Sequence, residues 1–179
     1  MSDAFSRIIA IIIVILMLFI FPSYYTAQKY DAICQNYLTN VTDEFAEDVR
    51  KQGKVTQQRY NSFVEDLDKT GLMYNVGMTY KHEGVMPKFN SGTGEVIGVE
   101  TYEEVIYTDD ILHSIYNEVT ADGQPQGVFL MEEGGYFTVE VENREKTLFA
   151  KMSQMLLSKA QKAGQLHAVA GGSIRDENY

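Results

Sequence analysis

From Ile8 to Phe21 the chain runs through 14 consecutive apolar residues, "IIAIIIVILMLFIF", uninterrupted by charge, glycine or proline. A helix that is apolar on every face cannot lie on the surface of a soluble domain and needs an apolar environment all round. Taken alone, the run is short for a bilayer span and fits the hydrophobic region of a secretion signal. Its flanks point to an uncleaved span. A helix from Phe5 to Tyr25 measures about 31 Å at ~1.5 Å per residue, enough to cross the hydrocarbon. Tyr24 and Tyr25 stand where aromatic rings favour the lipid–water boundary. The small residues a signal peptidase requires are misplaced: a cut after Ala27 leaves Tyr25 at the third position back. Arg7 precedes the run and Lys29 follows it, so charge bias sets orientation only weakly. The simplest arrangement is a cell-membrane protein with a short cytoplasmic N-terminal stub and everything after the span outside.

No turn signal separates the span from "TAQKYDAICQNYLTNVTDEFAEDVRKQG". Tyr30, Ile33, Tyr37, Val41, Phe45 and Val49 recur at spacings of 3, 4, 4, 4 and 4, a helical stripe, while Asp31, Asn36, Asp43, Glu44, Glu47 and Asp48 are assigned to other faces. Gly53 is the first glycine in the chain, with Arg50 and Lys51 favourably placed in the turn before it. Pro22 is tolerable beside a membrane segment and is a candidate kink. The region reads as one helix of about 45 residues, ~68 Å long, half in lipid and half amphipathic outside.

The remainder supports a small head. Thr56 is placed to cap a helix from Gln57 to Lys69, closed by Gly71, with Tyr60, Phe63, Val64 and Leu67 on one face. Leu72, Tyr74, Val76, Met78 and Tyr80 alternate with Met73, Asn75, Gly77, Thr79 and Lys81, the period of a half-buried strand. "EGVMPKFNSGTGE" reads as a loop, 96–107 as a second strand, and Thr108 as the cap of a short helix. "TADGQPQG" is a turn, 128–131 a short strand, and Gly134-Gly135 a hairpin tip. A strand at 136–142 points Phe137, Val139 and Val141 to one side. Leu148, Phe149, Met152, Met155, Leu156 and Lys159 trace a last amphipathic helix, and "AGGSIRDENY" is expected to fray. The expected organisation is a stub and transmembrane helix over 1–25, its amphipathic extension over 26–53, an α+β head with an antiparallel sheet and flanking helices over 54–165, and a polar tail over 166–179.

Chemistry is sparse. The net charge is −10, from 25 Asp and Glu against 15 Lys and Arg, which argues against a nucleic-acid partner. His82, His113 and His167 lie singly, without the i, i+4 partner of a helical zinc site. "NSGTGEVIG" lacks the Lys and Ser/Thr of a phosphate loop. The pair Glu103-Glu104 would face opposite sides of a strand, and Asp109-Asp110 suits a helix N-terminus. Cys34, the single cysteine, sits one step from the stripe and reads as a small packed or interface residue. Asn40-Val41-Thr42 matches a glycosylation sequon, a three-residue pattern of low specificity. No catalytic residue, cofactor or metal site is expected, and the chain reads as non-enzymatic.

A short stub, an immediate hydrophobic helix, an amphipathic extension and an α+β head make the lollipop plan of type IV pilins. The chain resembles the pilin-like small proteins of tight-adherence (Tad/Flp-type) pilus systems of Gram-positive bacteria, on "RKQGKVTQQRYNSFVEDLDKTGLMYNVGMTYKHE", "GGYFTVEVENREKTLFAKM" and "AGGSIRDE". The processing signal of that group, a Gly five residues before a Glu at the head of the helix, has no counterpart, since no Gly precedes Gly53 and no Glu precedes Glu44. The resemblance implies a pseudopilin-like or minor-pilin-like structural component of pilus assembly, adhesion or secretion. It would work by helix packing through Ile12, Ile15, Phe19, Tyr30, Ile33, Tyr37 and Val41, with membrane lipid and other pilin-like or assembly-machine subunits, copies of itself included, as partners. The alternative is a membrane-tethered module whose head binds a ligand or protein and whose anchor is passive.

Overall fold

The computed structural model describes residues 2–89, 96–117, 127–157 and 164–175. The candidate loop residues 90–95, most of the turn at 120–127, Lys159 and the last four residues lie outside them. The fold is α+β: one long apolar-to-amphipathic helix carrying a small head.

Helix α1 (Ser2–Gln52) is a single element of 51 residues, about 76 Å at ~1.5 Å per residue. It passes through Pro22 without ending, and Thr26 Oγ1 donates to the Pro22 carbonyl at 2.8 Å within that turn. Gly53, at φ 61°, turns the chain out of the helix after Arg50 and Lys51.

The head is built on a four-stranded antiparallel sheet in the order β3-β2-β5-β6, formed by β2 (Tyr74–Phe89), β3 (Val96–Tyr107), β5 (Tyr136–Asn143) and β6 (His167–Ser173). The register sets Tyr80, Phe137 and Gly172 in one row, Met78, Val139 and Ala170 in the next, and Val76, Val141 and Ala168 in a third. Each row runs from large side chains on β2 and β5 to small ones on β6. That taper lets α1 lie close over β6 and β5. Phe45, Leu38 and Val49 of α1 meet Phe137, Val139 and Val141 in one fully buried core. Fully burying each such side chain contributes about 1.5–3 kcal/mol.

The remaining elements close this core. Thr56 Oγ1 accepts the Arg59 N–H and caps α2 (Gln57–Asp68), as its spacing suggests, and Phe63 stacks on Phe45 with ring centroids 4.2 Å apart. In α3 (Thr108–Tyr116), Ile111 and Ile115 are buried. Strands β1 (Lys54–Thr56) and β4 (Val128–Leu130) pair antiparallel in a separate two-stranded sheet. Helix α4 (Leu148–Leu157) returns to α1.

Four expectations are corrected. The segment after 166 is not a fraying tail, because β6 pairs with β5 along its length and is the main contact of α1 with the sheet. Its small residues, which argue against a strand in isolation, are what close neighbours require: a Cβ on Gly171 would run into the Phe137 carbonyl oxygen of β5, and one on Gly172 into the Arg50 guanidinium of α1. Residues 83–89 are strand, not loop, and β2 and β3 continue as a paired arm beyond the part of β2 that β5 covers. Cross-strand Lys88–Glu100 and Lys81–Glu103 pairs, and the Tyr102 ring lying across Gly84, support that arm. Thr108 does not cap α3. Its hydroxyl accepts the Met78 N–H at 2.7 Å and donates to the Met78 carbonyl, pinning the helix start to β2. Gly134-Gly135 is a turn but not a hairpin tip, since β4 pairs with β1 and not with β5.

Candidate functional site

The seven side chains read as packing positions fall on one helix face, because spacings of three, four and eleven keep them within about a quarter-turn at ~100° per residue. The head takes a different face. Ala27, Asp31, Cys34, Leu38, Phe45 and Val49 turn inward, a stripe offset from the first by roughly another quarter-turn. Val41 lies at the shared margin, 9% exposed and inside the core, and Tyr37 packs half-buried against it. Val41 is therefore committed to its own head and not open to a neighbour. Tyr30 and Ile33 remain 50% and 65% exposed, although the Tyr30 hydroxyl donates to the Thr70 carbonyl of the head at 2.8 Å. Below them Ile12, Ile15 and Phe19 are exposed, as is every other residue from Ala4 to Phe21. The helix is long and apolar enough to cross a membrane, with a mean hydropathy of 2.9 in its most apolar window and none of that window buried against the head. It is compatible with a transmembrane or signal anchor.

The inward stripe is fastened by polar bonds as well as packing. Gln35 Nε2 donates to the His167 carbonyl at 2.8 Å, and the His167 N–H donates to Gln35 Oε1 at 3.1 Å. One side-chain amide thus satisfies both backbone groups at the open edge of β6. Fifteen residues further up α1, Arg50 Nε donates to the Ser173 carbonyl at 3.1 Å, and a Cβ on Gly172 would meet the Arg50 guanidinium carbon at 2.6 Å. Fifteen helical residues rise about 22 Å, close to the ~20 Å spanned by β6, so helix and strand are clamped together at both ends.

Asp31 is the inward residue that the periodicity assigns elsewhere. It is buried, and the Thr147 hydroxyl donates to its Oδ2. Burial pushes its carboxyl above the ordinary range, with the Thr147 bond opposing the shift. Thr147 Oγ1 also accepts the Ala150 N–H, so one hydroxyl caps α4 and ties its start to α1. Beside it Cys34 is buried, which raises its thiol pKa and suits the packed role expected of it. The signal for Asp31 lay in its place at i, i+3 and i+7 with Cys34 and Leu38. Its charge masked it.

Elsewhere the geometry offers little chemistry. An open cleft of about 480 Å³ between the arm and the β4–β5 turn is lined by Lys81, His82, Glu83, Glu103, Glu132 and Glu133. His82 stacks on Tyr80 and lies 3.6 Å from Glu104, and His167 lies 2.8 Å from Glu140 on the open face of the sheet. Among the described residues, no three His, Cys, Asp or Glu side chains converge in a way that could hold a metal ion. Asp109 and Asp110 occupy the first turn of α3.

No family model, curated protein or solved structure matches this chain. Helix α1 is divided: an upper half clamped to the sheet, and a lower half that, among the described residues, meets the head only where α4 reaches Met17 to Tyr24.

Proposed function

We propose that this protein is a single-pass membrane component of a multi-subunit surface assembly, a pseudopilin-like or minor-pilin-like part that works by helix packing. The observation that carries this reading is the unbroken passage of one helix from the exposed apolar run into the head's core. Because α1 is clamped to β6 at both ends, any constraint on the lower half, from lipid or from neighbouring helices, reaches the head as a rigid rotation or displacement. Ile12, Ile15 and Phe19, continued by Ile33, form the face left for neighbouring subunits, while Tyr30 on the same face donates its hydroxyl to the Thr70 carbonyl of the head. The span would sit in the cell membrane with the head outside. The reading assigns no catalysis.

The second reading, a passive tether for a binding head, has its own support in the β2–β3 arm, where Val85, Met86, Val96 and Val99 are exposed beyond the sheet body. Replacing residues 8–21 by a leucine span of equal length separates the two. Helix packing predicts loss of crosslinked or co-purified subunits at undiminished membrane content. Intact association would show that the anchor is passive.

A further inference from the structure

The acidic residues are absent from two stretches of this acidic chain. No Asp or Glu occurs between Asp3 and Asp31, and none between Glu145 and Asp176, where Lys146, Lys151, Lys159, Lys162 and Arg175 stand alone. The fold brings the start of the second stretch, α4, beside the first, whereas Arg175 lies at the far end of α1, where its N–H donates to the Arg50 carbonyl. Helix α4 begins at the Asp31–Thr147 bond and descends along α1. The Phe149 ring packs on Tyr24 at 5.1 Å between centroids, Ser153 Oγ donates to the Tyr24 hydroxyl at 3.3 Å, and Leu156 faces Met17, Ile20 and Phe21 across a narrow apolar cleft of about 290 Å³.

The burial of α4 runs against the ordinary logic of a head helix. Its fully buried residues are Ala150 and Ser153, with Phe149 and Met152 half-buried beside them, whereas Met155 is 85% exposed and Leu148 and Leu156 are also exposed. On a soluble surface this leaves three large apolar side chains, Leu148, Met155 and Leu156, facing water. Its depth supplies the reason. Leu156 reaches Phe21, the last residue of the apolar run, and Met17, about 6 Å further down the axis at ~1.5 Å per residue. Apolar groups at a membrane interface bury roughly 5–10 Å into the headgroup and acyl boundary, with basic residues held at the polar level. The end of α4 lies at that depth, and Lys151 is exposed one turn above it.

We infer that α4 is a second membrane-contacting element, an interfacial foot whose Met155 and Leu156 enter the bilayer beside α1 and whose partner is lipid. The inference rests on the reading of the Ile8–Phe21 run as membrane-embedded. With Tyr24, Phe149 and the Asp31–Thr147 bond, the foot sets how far α1 sinks and which side of it meets lipid through its own domain. The face carrying Ile12, Ile15 and Phe19 is left on the opposite side.

The test uses the full chain in phosphatidylcholine–phosphatidylglycerol vesicles, with Cys34→Ala as background and one fluorophore on Met155→Cys, Ile13→Cys or Asn75→Cys. Lipids spin-labelled at a shallow or a deep acyl position act as quenchers. The Met155→Cys probe is expected to lose fluorescence to the shallow quencher more than to the deep one, the Ile13→Cys probe the reverse, and the Asn75→Cys probe to neither. Met155 is so exposed that the substitution leaves the fold intact, and an unchanged circular dichroism spectrum checks this. Quenching at Ile13→Cys without quenching at Met155→Cys would overturn the foot and leave the anchor standing. No quenching at either position would overturn the anchor reading and the foot with it.

Discussion

The two halves of α1 are one helix in two environments. Above Thr26 its apolar residues are sorted: Leu38, Phe45 and Val49 turn inward to the sheet, and Asp43, Glu44 and Asn40 turn outward to water. Below Thr26 no sorting exists, and side chains as large as Phe19 and Leu18 are exposed on every side. The difference teaches that helix periodicity reports the asymmetry of the surroundings. A segment that meets a sheet on one side and water on the other needs a stripe, and a segment in a uniformly apolar surround does not. The join lies near Tyr24, where the head's last helix comes down to meet the run.

The largest expected effect separates the halves by mutation. Phe45 stacks on Phe63 and meets Tyr60 and Phe137 edge-on, so Phe45→Ala should destabilise the head by about 3–5 kcal/mol. Phe19→Ala, which removes the same ring from the lower half, should move head stability by less than ~0.5 kcal/mol, because the ring is 67% exposed. Urea unfolding in micelles, followed by near-ultraviolet circular dichroism, reads both. Equal losses would mean that the two halves are not independent.

A smaller effect tests how the upper half is seated. Gly171→Val places a branched side chain against the Phe137 carbonyl and should cost about 1–3 kcal/mol by pushing β6 from β5, with faster amide exchange along β6 and unchanged membrane insertion. Normal exchange in β6 would show that its small residues are not needed for the close strand.

These residues also show what a sequence can carry. The long apolar helix, the stripe from Tyr37 upward, the Thr56 cap and the alternation of β5 were legible, because each depends on neighbours within a turn or a few residues. Strand β6 was not, since "HAVAGGS" has weak strand propensity and owes its conformation to β5 and to α1 more than a hundred residues earlier in the chain. The same holds for the pairing of β1 with β4 and for the bonds of Thr108 to β2. Of the residues assigned to packing, Ile12, Ile15, Phe19 and Ile33 are exposed, whereas Val41 is taken by the head and Tyr30 donates to the Thr70 carbonyl. The period is common to both faces and could not tell them apart.

The smallest effect concerns Asp31, the charge at the top of the join. Its raised carboxyl pKa means that the folded protein holds this proton more tightly than the unfolded chain. The stability linked to it is complete below the ordinary carboxylate range, around pH 3.9, and is lost as pH rises through the raised folded value. Asp31→Asn, which can still accept from Thr147, should therefore be modestly more stable than the native protein at pH 7 and lose that advantage near pH 3. A gain that persists at low pH, read from urea midpoints, would assign the effect to packing instead of charge.

The central claim is that the lower half of α1 finds specific neighbours on the face turned from its own head. It is tested most directly by a disulfide crosslinking scan in native membranes, with single cysteines placed at each position from Ile8 to Phe21 in a Cys34→Ala background. The account predicts defined products that peak at Ile12, Ile15 and Phe19 with a helical period and fall to background at Met17 and Ile20, which line the α4 cleft. Uniform background at every position would contradict it and leave the helix as an anchor surrounded only by lipid.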